Sequence, residues 1–470
     1  MAQLHDLTAL EQGQAIARRE VSSLELTEHY LARAEQLDAT VGAFAIRTPE
    51  LARKHAVRAD AEVGGVDFSP LHGVVIPPKD LHSWAGVRCR LGSRAIDFVP
   101  DADDYPVIRM REAGFVFTGK TNTSEFGLPA YTESEVSPPA RTPWDLQRSA
   151  GGSSGGAAAA VASGLAAAAV GSDGGGSIRI PASCCGLVGI KPSRGRVSVG
   201  PSGESLGELG VHGPLARTVA DAAAVLDALC GSFAGDRSPA PALAAGDSFL
   251  LASKHQPRSL RVARFATPIL VPTTVGTDCL NAYESASVLL AELGHEVEEI
   301  EMPFGAELFA CFAMVWSCLA AAIPLDAAQE EEVTPLTRWL RAEGNQVTGP
   351  ELTVAISALR TLARKAMQRT SAYDVILTPG LAQLPPEIGS MRNDSDPAAD
   401  FAAQSQFTPF TAPFNLTGQP AINLPLHWTA AGLPVGVQLV GRIYDEYTLI
   451  SLAAQLESAQ PWTTRRPAIW

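Results

Sequence analysis

Two serines, Ser153 and Ser177, lie in one Gly/Ala-rich stretch that begins Gly151-Gly152-Ser153-Ser154-Gly155-Gly156 and ends Asp173-Gly174-Gly175-Gly176-Ser177-Ile178-Arg179-Ile180-Pro181. Glycines beside a hydroxyl leave backbone N–H groups uncovered, and N–H groups aimed at a reacting oxygen are what acyl transfer needs. The chemistry these residues suit is that of a serine hydrolase. A serine hydroxyl is a weak nucleophile and requires activation, by histidine, lysine or a metal ion. Gly151-Gly152-Ser153-Ser154-Gly155 satisfies the G-x-S-x-G pattern of a nucleophile elbow, but that elbow follows an apolar strand. The residues in front of it are instead Pro143-Trp144-Asp145-Leu146-Gln147-Arg148-Ser149-Ala150, and of the nine histidines only His427 follows His295. Lysine is the stronger candidate. Lys79 follows Gly73-Val74-Val75-Ile76 and Pro77-Pro78, and burial at a strand end would disfavour its charged form and make it a base. Standing alone, it would read as an ordinary lysine paired with Asp80.

The elements that must position these residues follow from periodicity. Residues 6 to 37 carry Leu7, Leu10, Ile16, Leu24, Leu26, Tyr30, Leu31 and Ala34 at helical spacing, with Ser22 or Ser23 capping the second of two helices. Gly73 to Ile76 reads as a strand that the two prolines stop, so that Lys79 is delivered at its end. A helix from Val107 to Glu112, a strand from Phe115 to Gly119 and a small-residue helix from Gly156 to Ala169, buried under the site, come next. Further strands are expected at Val188 to Ile190, Arg261 to Phe265, Val297 to Ile300 and Tyr373 to Leu377, with helices at about 218 to 230, 278 to 293 and 350 to 371. The chain closes with strands at 420 to 425 and 435 to 440, joined by a turn at Gly432, and a helix at about 446 to 458. This alternation predicts an α/β fold with a large, twisted, mixed but mostly parallel sheet, covered by helices on both faces.

Composition narrows the class. A chain of 470 residues that is 46% hydrophobic can bury a large core, and it reads as one domain spanning 1–470. Its parts are an N-terminal helical layer at about 6–60, a core at about 70–230, a variable pocket region at about 231–410 and a C-terminal portion at about 411–470. Within it, 231 to 257 is rich in Pro, Ala, Gly and Ser and is expected to be a surface excursion. A net charge of −14 without long charge runs argues against nucleic acid or an anionic membrane as partner. The seven cysteines are scattered without CxxC spacing, which signals neither a disulfide framework nor a zinc site. With no signal sequence at Met1-Ala2-Gln3-Leu4-His5-Asp6, a cytoplasmic location is expected.

Lys79, Ser153 and Ser177 also stand within longer motifs. These are Leu71-His72-Gly73-Val74 with Lys79-Asp80, Gly119-Lys120-Thr121-Asn122-Thr123-Ser124-Glu125-Phe126, Thr142-Pro143-Trp144-Asp145, the block from Gly151 to Pro192, Phe414-Asn415-Leu416-Thr417-Gly418-Gln419-Pro420-Ala421-Ile422, and Gly432 to Leu439. Together they resemble the amidase signature family of Ser-cisSer-Lys hydrolases over nearly the whole chain. The resemblance implies the amidase signature fold, Ser177 as nucleophile, Ser153 as a bridging serine after a cis Gly152–Ser153 peptide, and Lys79 as the ultimate base. It further implies an oxyanion hole from the N–H groups of Gly174, Gly175, Gly176 and Ser177, and no cofactor or metal. Asp173 and Arg179 are expected to orient the nucleophile loop, and Ser154 to support it by hydrogen bonding. Two departures from the family pattern are Gly174, where a side chain is common, and Pro77-Pro78 before Lys79.

The substrate is less constrained. Phe309 to Cys318 and Phe407-Thr408-Pro409-Phe410 are aromatic and apolar, which suggests a hydrophobic pocket, with simple core packing of a helix as the alternative. Gln406 to Ile422 and the C-terminal Pro461-Trp462 are similar to the branch of 6-aminohexanoate-cyclic-dimer-hydrolase-like amidases, a likeness that puts Cys318 near a substrate-contacting position; Trp316 and Phe410, from the two apolar segments, are the other expected substrate-binding residues. The expected activity is hydrolysis of a small-molecule aryl or alkyl amide, with oligoamides and carbamates open to the same chemistry, by a monomer or homodimer. The alternatives are the glutaminase subunit of a tRNA-dependent amidotransferase and a binding protein without catalysis; the presence of all three catalytic residues argues against the latter.

Overall fold

The structure, a computed structural model, describes residues 3–64, 69–201 and 207–470. Side-chain caps set the first boundaries. Thr8 and Ser22 each accept an N–H three residues on while Glu11 and Glu25 reach back, and these capping boxes start the helices Ala9–Ala17 and Ser23–Val41. Ser22, not Ser23, is the cap, and Gly42 at φ 65° stops the second helix.

Ten strands form among the described residues. β1 (Phe44–Arg47) and β2 (Gly119–Thr121) pair with each other. β3 (Ala168–Asp173), β4 (Val188–Lys191), β5 (Val211–Ala216), β6 (Arg261–Arg264), β7 (Glu296–Glu299), β8 (Val375–Pro379), β9 (Ala421–Trp428) and β10 (Pro434–Gly441) make one sheet in the order β3-β5-β4-β9-β10-β8-β6-β7. The sheet is mixed, as expected, but it is not mostly parallel. From β3 across to β8 every pairing is antiparallel, and only β8-β6-β7 run parallel. Parallel neighbours need a crossover of a dozen or more residues, which the helix Thr277–Glu292 supplies between β6 and β7. β9 and β10, by contrast, are joined by a tight turn in which Gly432 N donates to Thr429 O.

Near the site, the expected strand from Gly73 to Ile76 is reduced to isolated parallel bridges, Val75 with Val116, Pro78 with Val170 and Lys79 with Thr121. Two consecutive prolines remove the N–H donors a regular ladder would use. The small-residue helix is Gly155–Ala162, shorter than expected: 163–167 turn away from it, and the last two residues of the expected span, Ala168 and Ala169, open β3. Gly164, at φ +67°, turns the chain between them. The small side chains have a packing reason: a Cβ on Gly156 would lie 2.3 Å from Asn122 N, so only glycine lets this helix sit against the chain leaving β2. No helix among the described residues is long and apolar enough to cross a membrane.

Candidate active site

Lys79 is wholly buried, and its Nζ lies 2.6 Å from Ser153 Oγ, 3.0 Å from Ser154 Oγ and 3.1 Å from Ser172 Oγ. Burial pushes the amine down to about 7, against the opposing pull of the Asp173 carboxylate. A neutral amine offers two N–H groups and one lone pair. Ser154 Oγ spends its own proton on Ser172 O at 3.2 Å and so accepts from the lysine. With Ser154 and Ser172 taking the two N–H groups, the lone pair is left for the hydroxyl of Ser153, the shortest of the three contacts.

The Gly152–Ser153 peptide is cis, as the resemblance implies. Gly152 is required here, because a Cβ at this position would come within 2.6 Å of Tyr131 N. Ser177 reaches the same place from the far end of β3: its carbonyl accepts from Ser154 N at 3.2 Å, and the residue lines a pocket together with Gly175. The structure thus gathers Lys79, Ser153, Ser154 and Ser177 around the N-terminus of one buried helix.

Asp173 and Arg179 build the loop in between. Arg179 grips the carboxylate with Nε and Nη2 at 3.0 and 2.9 Å, and donates from Nη1 to Gln438 Oε1 and from Nη2 to Asn415 Oδ1. Burial alone would raise the Asp173 carboxyl, but the adjoining guanidinium outweighs it and holds the group well below the usual carboxylate range. Asp173 also accepts the N–H of Gly176 at 2.7 Å and of Ile178 at 3.1 Å. That narrows the expected oxyanion hole. The Gly176 N–H is already taken, whereas those of Gly174, Gly175 and Ser177 make no hydrogen bond among the described residues. Gly176 contributes its backbone shape instead: φ is +131°, and a Cβ would strike Thr411 Oγ1 at 2.3 Å.

The pocket over Ser177 is walled by Leu128, Leu270, Phe312, Trp316 and Phe401, with Gln404, Ser405 and Thr408 as its polar side, and no charged side chain among the described residues lines it. Trp316 stacks on Phe312 with ring centroids 5.5 Å apart and covers Gly174, its ring 3.6 Å from where a Cβ would stand. Trp316 is therefore at the pocket, but Cys318 and Phe410 are not. Two residues beyond Trp316 on the helix Leu308–Ala321, about 200° round its axis, the Cys318 thiol faces Gly344 O at 3.9 Å. Phe410 is fully buried in the apolar core, and only its carbonyl takes part, accepting from Gln438 Nε2.

Three contributors were given no role from the sequence: Ser172, Asn415 and Gln438. Each is a polar residue among apolar or small neighbours (Val170-Gly171-Ser172, Phe414-Asn415-Leu416, Val437-Gln438-Leu439), and buried polar groups of this kind are held by partners.

With this geometry in view, the relatives are informative. The Amidase family model matches residues 25–450. The chain is 38% identical to the putative amidase AmiB2 of Mycobacterium tuberculosis over 98% of both proteins. It is 35% identical to the 6-aminohexanoate-cyclic-dimer hydrolase of Paenarthrobacter ureafaciens over 98% of this chain and 96% of that one. Among solved structures, 6-aminohexanoate cyclic dimer hydrolase complexed with substrate superposes with a TM-score of 0.90 at 33% identity over the full length of both chains. A bacterial aryl acylamidase of the amidase signature family shares the fold, with a TM-score of 0.86 at 23% identity over 98% of both chains. A buried lysine against a serine after a cis peptide, in a chain matched from end to end by amide hydrolases, identifies this protein as an enzyme of the amidase signature family.

Proposed function

We propose that this enzyme hydrolyses the C–N bond of small uncharged amides through Lys79, Ser153 and Ser177 and an acyl-enzyme intermediate. The observation that carries the proposal is the buried Lys79 amine, held near neutrality 2.6 Å from Ser153 Oγ, beside a pocket that Ser177 opens into and that no charged side chain among the described residues lines. Neutral Lys79 takes the Ser153 proton, Ser153 takes that of Ser177, and Ser177 Oγ bonds to the amide carbonyl carbon. The carbonyl electron pair moves onto oxygen, where the N–H groups of Gly174, Gly175 and Ser177 stabilise it; one such donor contributes about 2.7–4 kcal/mol. The C–N bond then breaks, and the proton returns through Ser153 to the leaving nitrogen. Water repeats the relay on the acyl ester, releasing the acid and restoring Ser177.

The uncharged lining bears on substrate class. A zwitterionic substrate such as glutamine would leave an ammonium and a carboxylate desolvated without partners, at a cost of several kcal/mol. This disfavours the amidotransferase glutaminase reading and favours aryl, alkyl or cyclic amides, with carbamates sharing the reaction. A relative bearing the name of a cyclic amide hydrolase supports the same direction.

The test is a panel of anilides, aliphatic amides, linear and cyclic oligoamides, carbamates and glutamine, assayed on wild type, Ser177→Ala, Ser153→Ala and Lys79→Ala. The expected result is turnover of neutral amides, loss in all three variants, and an acyl adduct on Ser177 by mass spectrometry. Glutamine as the preferred substrate, or full activity in Ser177→Ala, would overturn the proposal.

A further inference from the structure

The relay leaves two histidines beside Lys79 unused. His82 is wholly buried and His212, in β5, is partly so. His82 Nδ1 lies 3.2 Å from Lys79 O, and His82 Nε2 lies 2.9 Å from His212 Nδ1. A carbonyl oxygen only accepts, so His82 carries its proton on Nδ1 and its Nε2 is a bare acceptor; His212 Nδ1 must then donate. With both rings neutral, one proton arrangement satisfies both bonds. A second proton on His82 would set two N–H groups against each other across 2.9 Å unless His212 moved its own proton to Nε2.

His212 also stands opposite Ser172 in the β3–β5 register, and Ser172 Oγ accepts from Lys79 Nζ at 3.1 Å. The connections close a ring. They run from the Lys79 main chain through His82 and His212 to the paired strands, and back through Ser172 to the Lys79 amine. We propose that the His82–His212 pair is a positioning device that anchors both ends of Lys79, so that its amine meets Ser153 in line for proton transfer. This rests on the reading of Lys79 as the base.

The surrounding charges are compatible with a neutral pair. Burial lowers both imidazoles, His212 to about 4, with the Lys79 cation adding to the effect, and His82 further faces Lys120. The Lys120 charge is balanced by Asp80 at 2.6 Å. Lys79 itself faces Asp173. The pair therefore keeps its single proton arrangement across the range in which the Lys79 amine is neutral.

Steady-state kinetics from pH 6 to 9 on a neutral anilide or other turned-over amide would test this in His212→Leu, His212→Asn and Lys79→Ala. Since misplacing a reacting group by about 1 Å costs about 100-fold, His212→Leu should lower kcat between about 10-fold and 100-fold, with KM within about twofold of wild type. His212→Asn, whose amide N–H can replace the donor to His82 Nε2, should recover most of the rate at a similar melting temperature. Unchanged kcat in His212→Leu, or an equal loss in His212→Asn, would overturn the proposal. Full activity in Lys79→Ala would instead overturn the base assignment. Nitrogen-15 NMR of the imidazoles in the wild-type enzyme gives a readout independent of folding in the variants. Both rings should be protonated on Nδ1 alone from pH 6 to 8, and an Nε2–H tautomer on His82 would refute the ring.

Discussion

Replacing Lys79 with methionine should abolish hydrolysis, yet make the fold more stable at acid pH and less stable at alkaline pH. Burial lowers the Lys79 amine from 10.5 to about 7, so between those values the unfolded chain binds a proton that the folded protein does not. Wild-type stability therefore rises with pH across that window. Below about pH 7 the cost of burying this group is at its full size: a shift of about 3.5 units at about 1.36 kcal/mol each is about 5 kcal/mol. The cost fades as pH approaches 10.5, leaving about 1 kcal/mol at pH 10. Methionine has a similar length and no charge, so it escapes the cost but deprives the hydroxyls of Ser153, Ser154 and Ser172 of a partner, at about 1 kcal/mol each. The balance is a gain of about 2 kcal/mol at pH 6 and a loss of about 2 kcal/mol at pH 10. Urea midpoints of wild type and variant at the two pH values, at matched slope, measure the difference directly, and titrations of groups not coupled to Lys79 cancel between them. A stability difference of one size and sign at both pH values would refute the account, because it would mean that Lys79 keeps its proton in the folded state.

The same titration should appear in the rate: kcat/KM should rise through about pH 7, with about half of Lys79 neutral there and about 1% at pH 5, and a profile flat from pH 5 to 9 would contradict it. Gly174→Ala should retain activity because its Cβ would sit 3.6 Å from Trp316, whereas Gly176→Ala, 2.3 Å from Thr411 Oγ1 at φ +131°, should lose most of it; circular dichroism and turnover of the pair decide this. Arg179→Met leaves the Asp173 carboxylate buried without its cation and should cost about 3–5 kcal/mol in denaturation. Cys318→Ser should leave KM unchanged while Trp316→Ala raises it, since only the latter side chain lines the pocket; the reverse pattern in steady-state kinetics would restore Cys318 to the site.

What the sequence made legible follows from how local each signal is. A cap at Ser22 or Ser23 is a signal carried within a few residues of chain, and Ser22 with Glu25 supplies it; the two serines likewise sit in one glycine-dense stretch. Strand pairing is not local. That β4 lies between β5 and β9, with antiparallel partners on both sides, depends on which apolar faces meet in space, and alternation of helix and strand says nothing about that. The alanines from Ala157 to Ala169 likewise carry no period, so only the turn at Gly164 separates helix from strand. The pocket fails for a sharper reason. Trp316 and Cys318 share one helix, and whether a side chain on it faces substrate or a neighbouring helix is a matter of about 200° of rotation. That rotation is set by contacts with residues far away in sequence, such as Gly344, against whose carbonyl the thiol packs. Asn415 and Gln438 mark the opposite limit: each is a polar residue in an apolar run, a local anomaly visible in the sequence, whose meaning emerges only when Arg179, more than two hundred residues away, is found between them. Each reacting group of this site is therefore marked by a local motif while the support of its loop is distant, so substitutions at the distant positions should alter rate through the geometry of Asp173 and its loop without touching a reacting atom.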